Sequence, residues 1–312
     1  MRVLFFGSDA FAREPFSTVL ESSHEVVGVV SRPDRPAGRG RTASPTPISE
    51  AASGMGIALW KPEALDDERF RGGVEALDWD AGVLVAYGAL IPRWLLDLPP
   101  HGFINLHPSL LPRFRGAAPV QRAIMGGASI TGVTTIRMTS RLDAGDILMH
   151  RELPIGDEDT AGTLAESLSH AGAGLLVETL DAVEGGRLEP VPQEEDKATE
   201  APPISVAEGD IDWERPAEEI WRLVRALNPE PGAYTFFRDR RVKVWETHLT
   251  DVPPEDDPGT LMLLGKEGLL VNTGTACLQI DVVQPEGKQR MSAGEFTRGQ
   301  RILIDERFSR CG

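Results

Sequence analysis

Short, unbroken apolar runs alternate with amphipathic stretches through the first half of the chain, and the runs have strand length. Val3-Leu4-Phe5-Phe6 is apolar throughout and stops at Gly7, which predicts a strand buried on both faces. A helical pattern follows from Phe11 to Leu20, then the β-branched run Glu25 to Val30. Strand, glycine turn, helix, strand is a parallel unit with a right-handed crossover. The alternation continues with helical patterns at 46–54 and 66–77 and an extended run at 57–60. Strands are expected at 82–87 and 103–107, a helix at 117–125, and strands at 131–138 and 147–152 separated by a turn at 142–146. A long helix is expected over 160–184, closed by Gly185-Gly186.

The pattern then changes. From 187 to 209, Pro190, Pro192, Pro202 and Pro203 mix with Glu194, Glu195, Asp196 and Glu200, a composition typical of a linker. A helix over 217–227 precedes five short strands, at 234–238, 242–249, 259–264, 268–271 and 277–283. The expected fold class is therefore α/β. A Rossmann-like, parallel-sheet N-terminal domain (1–186) is followed by a linker (187–209) and a small OB-like β-barrel C-terminal domain (210–312).

Composition narrows the setting. The chain has 312 residues, 41% hydrophobic and 26% charged, with two cysteines. It shows no disulfide framework and no metal-ligand spacing, so no metal is expected and a cytoplasmic location is. The opening apolar run is too short for a signal peptide or a membrane span. A net charge of −16 opposes bulk attraction to nucleic acid. Two local basic clusters run against that field: Arg32, Arg35, Arg39 and Arg41 in a proline- and glycine-rich loop, and Arg113, Arg115 and Arg122. Such a loop is either a solvated charged surface or a finger reaching for phosphates or unstacked bases.

The stretch Gly102 to Pro112 carries the candidate chemistry. Side chains on a strand alternate, so Asn105 and His107 share one face, about 6–7 Å apart. Pro108 ends the ladder because it has no N–H to give. A carboxamide and an imidazole are thus presented together at the carboxyl end of a strand, where open α/β sheets bind ligands. The turn after the first strand, Gly-Ser-Asp-Ala-Phe-Ala, lacks the glycine spacing of a nucleotide-cradling loop.

Several motifs in order carry a family resemblance. They are Arg-Pro-Asp-Arg-Pro-Ala-Gly-Arg-Gly at 32–40, Val-Ala-Tyr-Gly at 85–88 and Asn-Leu-His-Pro-Ser-Leu-Leu-Pro at 105–112. Arg-Gly-Ala-Ala-Pro-Val-Gln-Arg-Ala-Ile at 115–124, Leu-Asp-Ala-Gly-Asp at 142–146 and Ile-Asp-Trp at 211–213 follow. Asn-Pro-Glu-Pro-Gly-Ala-Tyr-Thr at 228–235 and Lys-Val-Trp at 243–245 complete the set. The chain resembles the folate-dependent formyltransferases and, within them, the methionyl-tRNA formyltransferase family, along nearly its whole length. It departs from the family at Ser8-Asp9, where Thr-Pro is usual, and before Ile211-Asp212-Trp213, where lysines are usual and none occurs.

The resemblance implies transfer of a formyl group from 10-formyltetrahydrofolate, as co-substrate, to the α-amine of initiator methionyl-tRNA in translation initiation. It implies catalysis by Asn105, His107 and Asp143, with the C-terminal domain binding tRNA. The amide of Asn105 would face the oxygen of a tetrahedral intermediate, where one donor is worth roughly 10²–10³ in rate. A carboxylate beside His107 would favour the imidazolium and fix the ring, and through water would take the proton the amine loses. Asp146 is the alternative carboxylate, three residues on. The resemblance further implies a folate wall from Ser109, Leu110, Leu111 and Pro112, with Tyr87 and Gly88 contributing backbone groups. Arg39 and Arg41 would reach the tRNA and Phe11 the methionyl side chain. Neither a membrane nor a stable protein partner is implied. A small amine such as an amino-sugar nucleotide is the competing acceptor, and a non-catalytic binding protein the competing class.

Overall fold

A computed structural model describes residues 1–37, 42–264, 268–303 and 306–310. Contacts divide the chain into two units. The first holds 1–119, 130–154 and 165–202, and the second 120–129, 155–164 and 203–312.

The first unit is built on a seven-stranded sheet: β1 (Arg2–Gly7), β2 (Glu25–Val30), β3 (Ala58–Trp60), β4 (Ala81–Val85), β5 (Phe103–His107), β6 (Ile130–Arg137) and β7 (Ile147–Pro154). Its order is β7-β6-β5-β4-β1-β2-β3, parallel from β5 through β3, with β6 and β7 antiparallel at the other side. The apolar runs explain the burial: Val3, Leu4, Phe5 and Phe6 are wholly inaccessible, as expected for strands covered on both faces. β4 pairs with β5 so that Leu84 faces Asn105, and β1 pairs with β4 so that Gly7 faces Val85. Three carboxyl ends therefore share one edge, and the loops leaving them meet there: the amides of Ser8 and Asp9 both donate to the carbonyl of Ala86.

The arginine-rich loop forms a short ribbon, Arg35–Ala37 antiparallel to Thr42–Ser44. Arg39 and Arg41 lie outside the described residues.

The stretch 187–209, which composition reads as a linker, is divided between the units. Up to Pro202 it belongs to the first. Val191 bridges Ile147, and Glu200–Ala201 pairs in parallel with Arg115–Gly116. Proline and clustered carboxylates disfavour a helix here but leave isolated backbone bridges possible. Residues 120–129 and 155–164, placed by the sequence within the N-terminal domain, pack in the second unit.

The second unit contains an antiparallel sheet of β8 (Ala233–Phe237), β9 (Arg240–Leu249), β10 (Leu261–Leu264), β11 (Gly268–Asn272), β12 (Cys277–Pro285) and β13 (Met291–Ser292). The order is β8-β9-β12-β11-β10, with β13 on β12. The two edges are joined by the end of the chain, since Thr260 bridges Arg307 and Phe236 bridges Ser309. These single bridges link the two edges through the C-terminal segment, in keeping with the expected small barrel. Helices Ala217–Ala226 and Ala293–Gln300 complete this unit's core, Ile220, Val224 and Phe296 packing with Val244, Leu278 and Ile280. The second helix is absent from the sequence-based expectation, although Ser292 and Glu295 form the reciprocal cap that could have signalled it. Among the described residues, no helix is long and apolar enough to cross a membrane.

Candidate active site

Asn105 and His107 sit at the end of β5, 5% and 4% exposed, on one face as their spacing requires. Asp143 reaches them from the turn between β6 and β7, which leaves antiparallel β6 beside the start of β5 and folds back so that its side chain meets Asn105 and His107. Asn105 Nδ2 donates to Asp143 Oδ1 at 3.3 Å. The Gly116 amide donates to Asp143 Oδ2 at 2.9 Å. His107 Nδ1 lies 3.7 Å from the same oxygen, longer than a direct hydrogen bond and an ion pair only when the ring is protonated. His107 Nε2 is 2.9 Å from the carbonyl of Phe114. A carbonyl only accepts, so Nε2 carries the proton, leaving Nδ1 as the nitrogen that faces the carboxylate.

The local chain is shaped to produce this meeting. Asp143 has φ 47°, a left-handed conformation that short polar side chains tolerate best. Gly145 has no alternative: a Cβ there would lie 1.8 Å from the carbonyl oxygen of Arg137. Asp146, the other candidate carboxylate, is exposed, whereas the Asp143 side chain is 11% exposed and turned toward His107.

The loop after β5 is held by one of its own hydroxyls and by one from β6. Ser109 is fully buried and its hydroxyl donates to the carbonyl of Arg113 at 2.7 Å. Thr134 Oγ1 donates to the Ser109 carbonyl and accepts from the Leu111 amide. Leu111 is buried, Leu110 and Pro112 are half-buried, and the Leu111–Pro112 bond is cis.

Tyr87 follows β4, with its ring in the core. Its ring is 2% exposed and meets Phe6 edge-on at 5.6 Å, and burial pushes its phenol up to about 12. The Gly88 carbonyl accepts from Arg32 at 2.5 Å. Tyr87 and Arg32 line a pocket of about 300 Å³ with Glu63, Leu65, Asp66 and Pro92. Phe11 is half-buried in a turn capped by Asp9, and its carbonyl accepts from Ser169 at 2.7 Å.

Three further ligating groups gather where no spacing motif predicts them. His24, Asp181 and Glu184 come within 4.8 Å of one another, and the Met1 amine bonds both His24 and Glu184.

A model of the formyl transferase family matches residues 1–180, and one of its C-terminal domain matches 203–301. Methionyl-tRNA formyltransferase from Moorella thermoacetica is 42% identical over 306 residues, 98% of both chains. The enzyme of that name from Bacillus licheniformis is 42% identical over 96% of this chain and 95% of its own. The chain belongs to the methionyl-tRNA formyltransferase family. Solved structures support the fold at lower identity. The sugar 3N-formyl transferase WlaRD superposes with TM-score 0.70 at 15% identity, over 93% of this chain and 99% of that one. HypX from Aquifex aeolicus, solved with tetrahydrofolic acid, gives 0.65 at 20% over 96% of this chain, which spans about half its length (48%).

For a member of the methionyl-tRNA formyltransferase family, the residues missed from sequence are those that act through backbone. Gly116 supplies an amide to Asp143 and Phe114 a carbonyl to His107. Their only sequence signal is proximity to the Arg-Gly-Ala-Ala-Pro motif.

Proposed function

We propose that this chain moves a formyl group from 10-formyltetrahydrofolate to the α-amine of methionine esterified to initiator tRNA. The observation that carries the reading is the convergence of Asn105, His107 and Asp143 at the carboxyl edge of the sheet, in a chain about 40% identical to enzymes of that name. The amine nitrogen bonds to the formyl carbon and the carbon–N10 bond then breaks. Tetrahydrofolate leaves with a proton on N10, and the amine gives up one of its own. Asn105 keeps one N–H beyond the bond it gives Asp143, and this hydrogen meets the intermediate's oxygen. Asp143, through water, and His107 Nδ1 are the groups that hold the amine's proton. Folate is held beside this edge by Ser109, Leu110, Leu111 and Pro112, with backbone groups of Tyr87 and Gly88, in the loops that follow β5 and β4.

The tRNA is held by the C-terminal domain and by the arginine loop, with Arg39 at the acceptor stem. One cluster in the second unit suits a phosphate backbone despite the net charge of −16. The Arg290 guanidinium lies 3.8 Å over Trp245, Lys243 Nζ 5.1 Å over the same ring, and Arg241 5.2 Å over Tyr234. Cations fixed on rings lose little freedom when they meet phosphate.

The test is an acid-urea gel of charged initiator tRNA incubated with the protein, with and without 10-formyltetrahydrofolate. A donor-dependent shift and a gain of one formyl mass are expected. No gain on tRNA, with formylation of an amino-sugar nucleotide instead, would reassign the acceptor.

A further inference from the structure

The turn that presents Asp143 is gripped by a side chain from the stretch that composition reads as a linker. Gln193 Nε2 donates to the carbonyl of Asp143 at 2.8 Å and to that of Gly145 at 2.6 Å. Its Oε1 accepts from Arg115 Nε at 3.0 Å and from Nη2 of the same guanidinium at 2.8 Å. A primary amide has two hydrogens and two lone pairs, so every hydrogen-bonding capacity of Gln193 is used. Arg115 is in turn held by Glu195, whose carboxyl it keeps below the usual range, with Arg141 assisting. The neighbour of Arg115 is Gly116, which bonds the Asp143 carboxylate. Gln193 thus ties together the two backbone pieces between which that carboxylate is fixed.

We propose that Gln193 is a positioning residue for Asp143, acting on the reaction only through the placement of that carboxylate. The proposal rests on Asp143 serving the reaction, as argued above. Asp143 is held at positive φ, and a left-handed non-glycine residue keeps its shape only when its surroundings over-determine it. The bond from Gln193 to the residue's own carbonyl fixes that peptide plane, and the bond to Gly145 fixes the next but one. Without them the turn can relax, and a shift of about 1 Å at a reacting group costs on the order of 10²-fold in rate.

The test uses the full-length protein with Gln193→Met, which keeps the side-chain length and removes all four bonds, and Gln193→Glu, which keeps the contact with Arg115 but replaces the donors by oxygen. Single-turnover formylation of charged initiator tRNA is followed with radiolabelled formyl donor. Both variants are expected to lose about 10- to 100-fold in rate, with KM for donor and tRNA within twofold of the parent. In an Asp143→Asn background the same Gln193→Met change is expected to cost less than twofold, because there is no carboxylate left to place. Equal losses in both backgrounds, or a parental rate in Gln193→Met, overturn the proposal while leaving the reading of the site intact. Full activity in Asp143→Asn would instead remove the site itself, and with it the role of Gln193. Gln193→Glu keeps the question answerable if the methionine variant does not fold.

Discussion

The amide of Gly116 lies 2.9 Å from Asp143 Oδ2, the closest of the polar contacts made by that carboxylate. Gly116 has φ 122°, and a Cβ there would stand 2.7 Å from the carbonyl oxygen of Ala201. A side chain at this position must push the strand pair Arg115–Gly116 and Glu200–Ala201 apart. Gly116→Ala is expected to lower stability by about 1–3 kcal/mol. Urea unfolding would measure it, and an unchanged midpoint would contradict the close approach.

Asp143→Asn is nearly isosteric, and asparagine tolerates the same left-handed backbone. It replaces one acceptor oxygen by a donor, so the new amide cannot accept from both Asn105 and Gly116. A fall in kcat of about 10²–10³ is expected, with a melting temperature close to the parent's. Steady-state kinetics beside a thermal melt would check this. A kcat within threefold of the parent would remove Asp143 from the reaction.

Tyr87 offers a prediction with an optical readout. Burial is the leading cause of its raised value of about 12, partly opposed by the Arg32 charge. The chain has two tyrosines, so Tyr234→Phe leaves Tyr87 as the sole phenol. Phenolate absorbance near 295 nm should then appear around pH 12 and not around 10. Because the folded value is the higher one, its stabilising contribution is complete below pH ~10 and is lost as pH rises toward 12. Two units correspond to about 3 kcal/mol. Titration near pH 10 in the folded protein would show the ring to be solvated.

Loss of the cations stacked on Trp245 should be felt by the polyanion alone. Arg290→Ala and Lys243→Ala are each expected to weaken tRNA binding and to reduce the slope of log K against log salt by about 1. KM for the formyl donor should not change. Identical salt slopes in parent and variants would place the tRNA elsewhere.

What could be read from the chain follows the range of each signal. Asn105 and His107 share a face because a strand repeats every two residues, and that spacing is visible in the sequence. Asp143 is 38 residues from Asn105. Only the turn that leaves antiparallel β6 and folds back along β5 unites them, and periodicity does not show it; the family motif is the one signal for Asp143. The turn-spaced strands of the C-terminal half announced a barrel, yet its closing bridges at Arg307 and Ser309 are single residue pairs with no pattern to detect. The motif at 85–88 does not reveal that the ring of Tyr87 is core, packed against Phe6. Gly116 and Phe114 serve the site through a peptide N–H and a carbonyl that every non-proline residue has, so neither identity betrays the function.

Chain order adds a temporal aspect to the divided linker. Asn105, His107 and Asp143 are all translated before residue 187, but the partners of Arg115, Gly116 and the Asp143 turn lie between Val191 and Ala201. On a ribosome adding about 5–20 residues per second, the three proposed catalytic side chains emerge seconds ahead of the segment that secures the last of them. A nascent or clipped polypeptide ending at residue 186 would carry all three proposed catalytic groups and still lack the contacts that Gln193 and Glu200–Ala201 make to the Asp143 turn and to Arg115–Gly116.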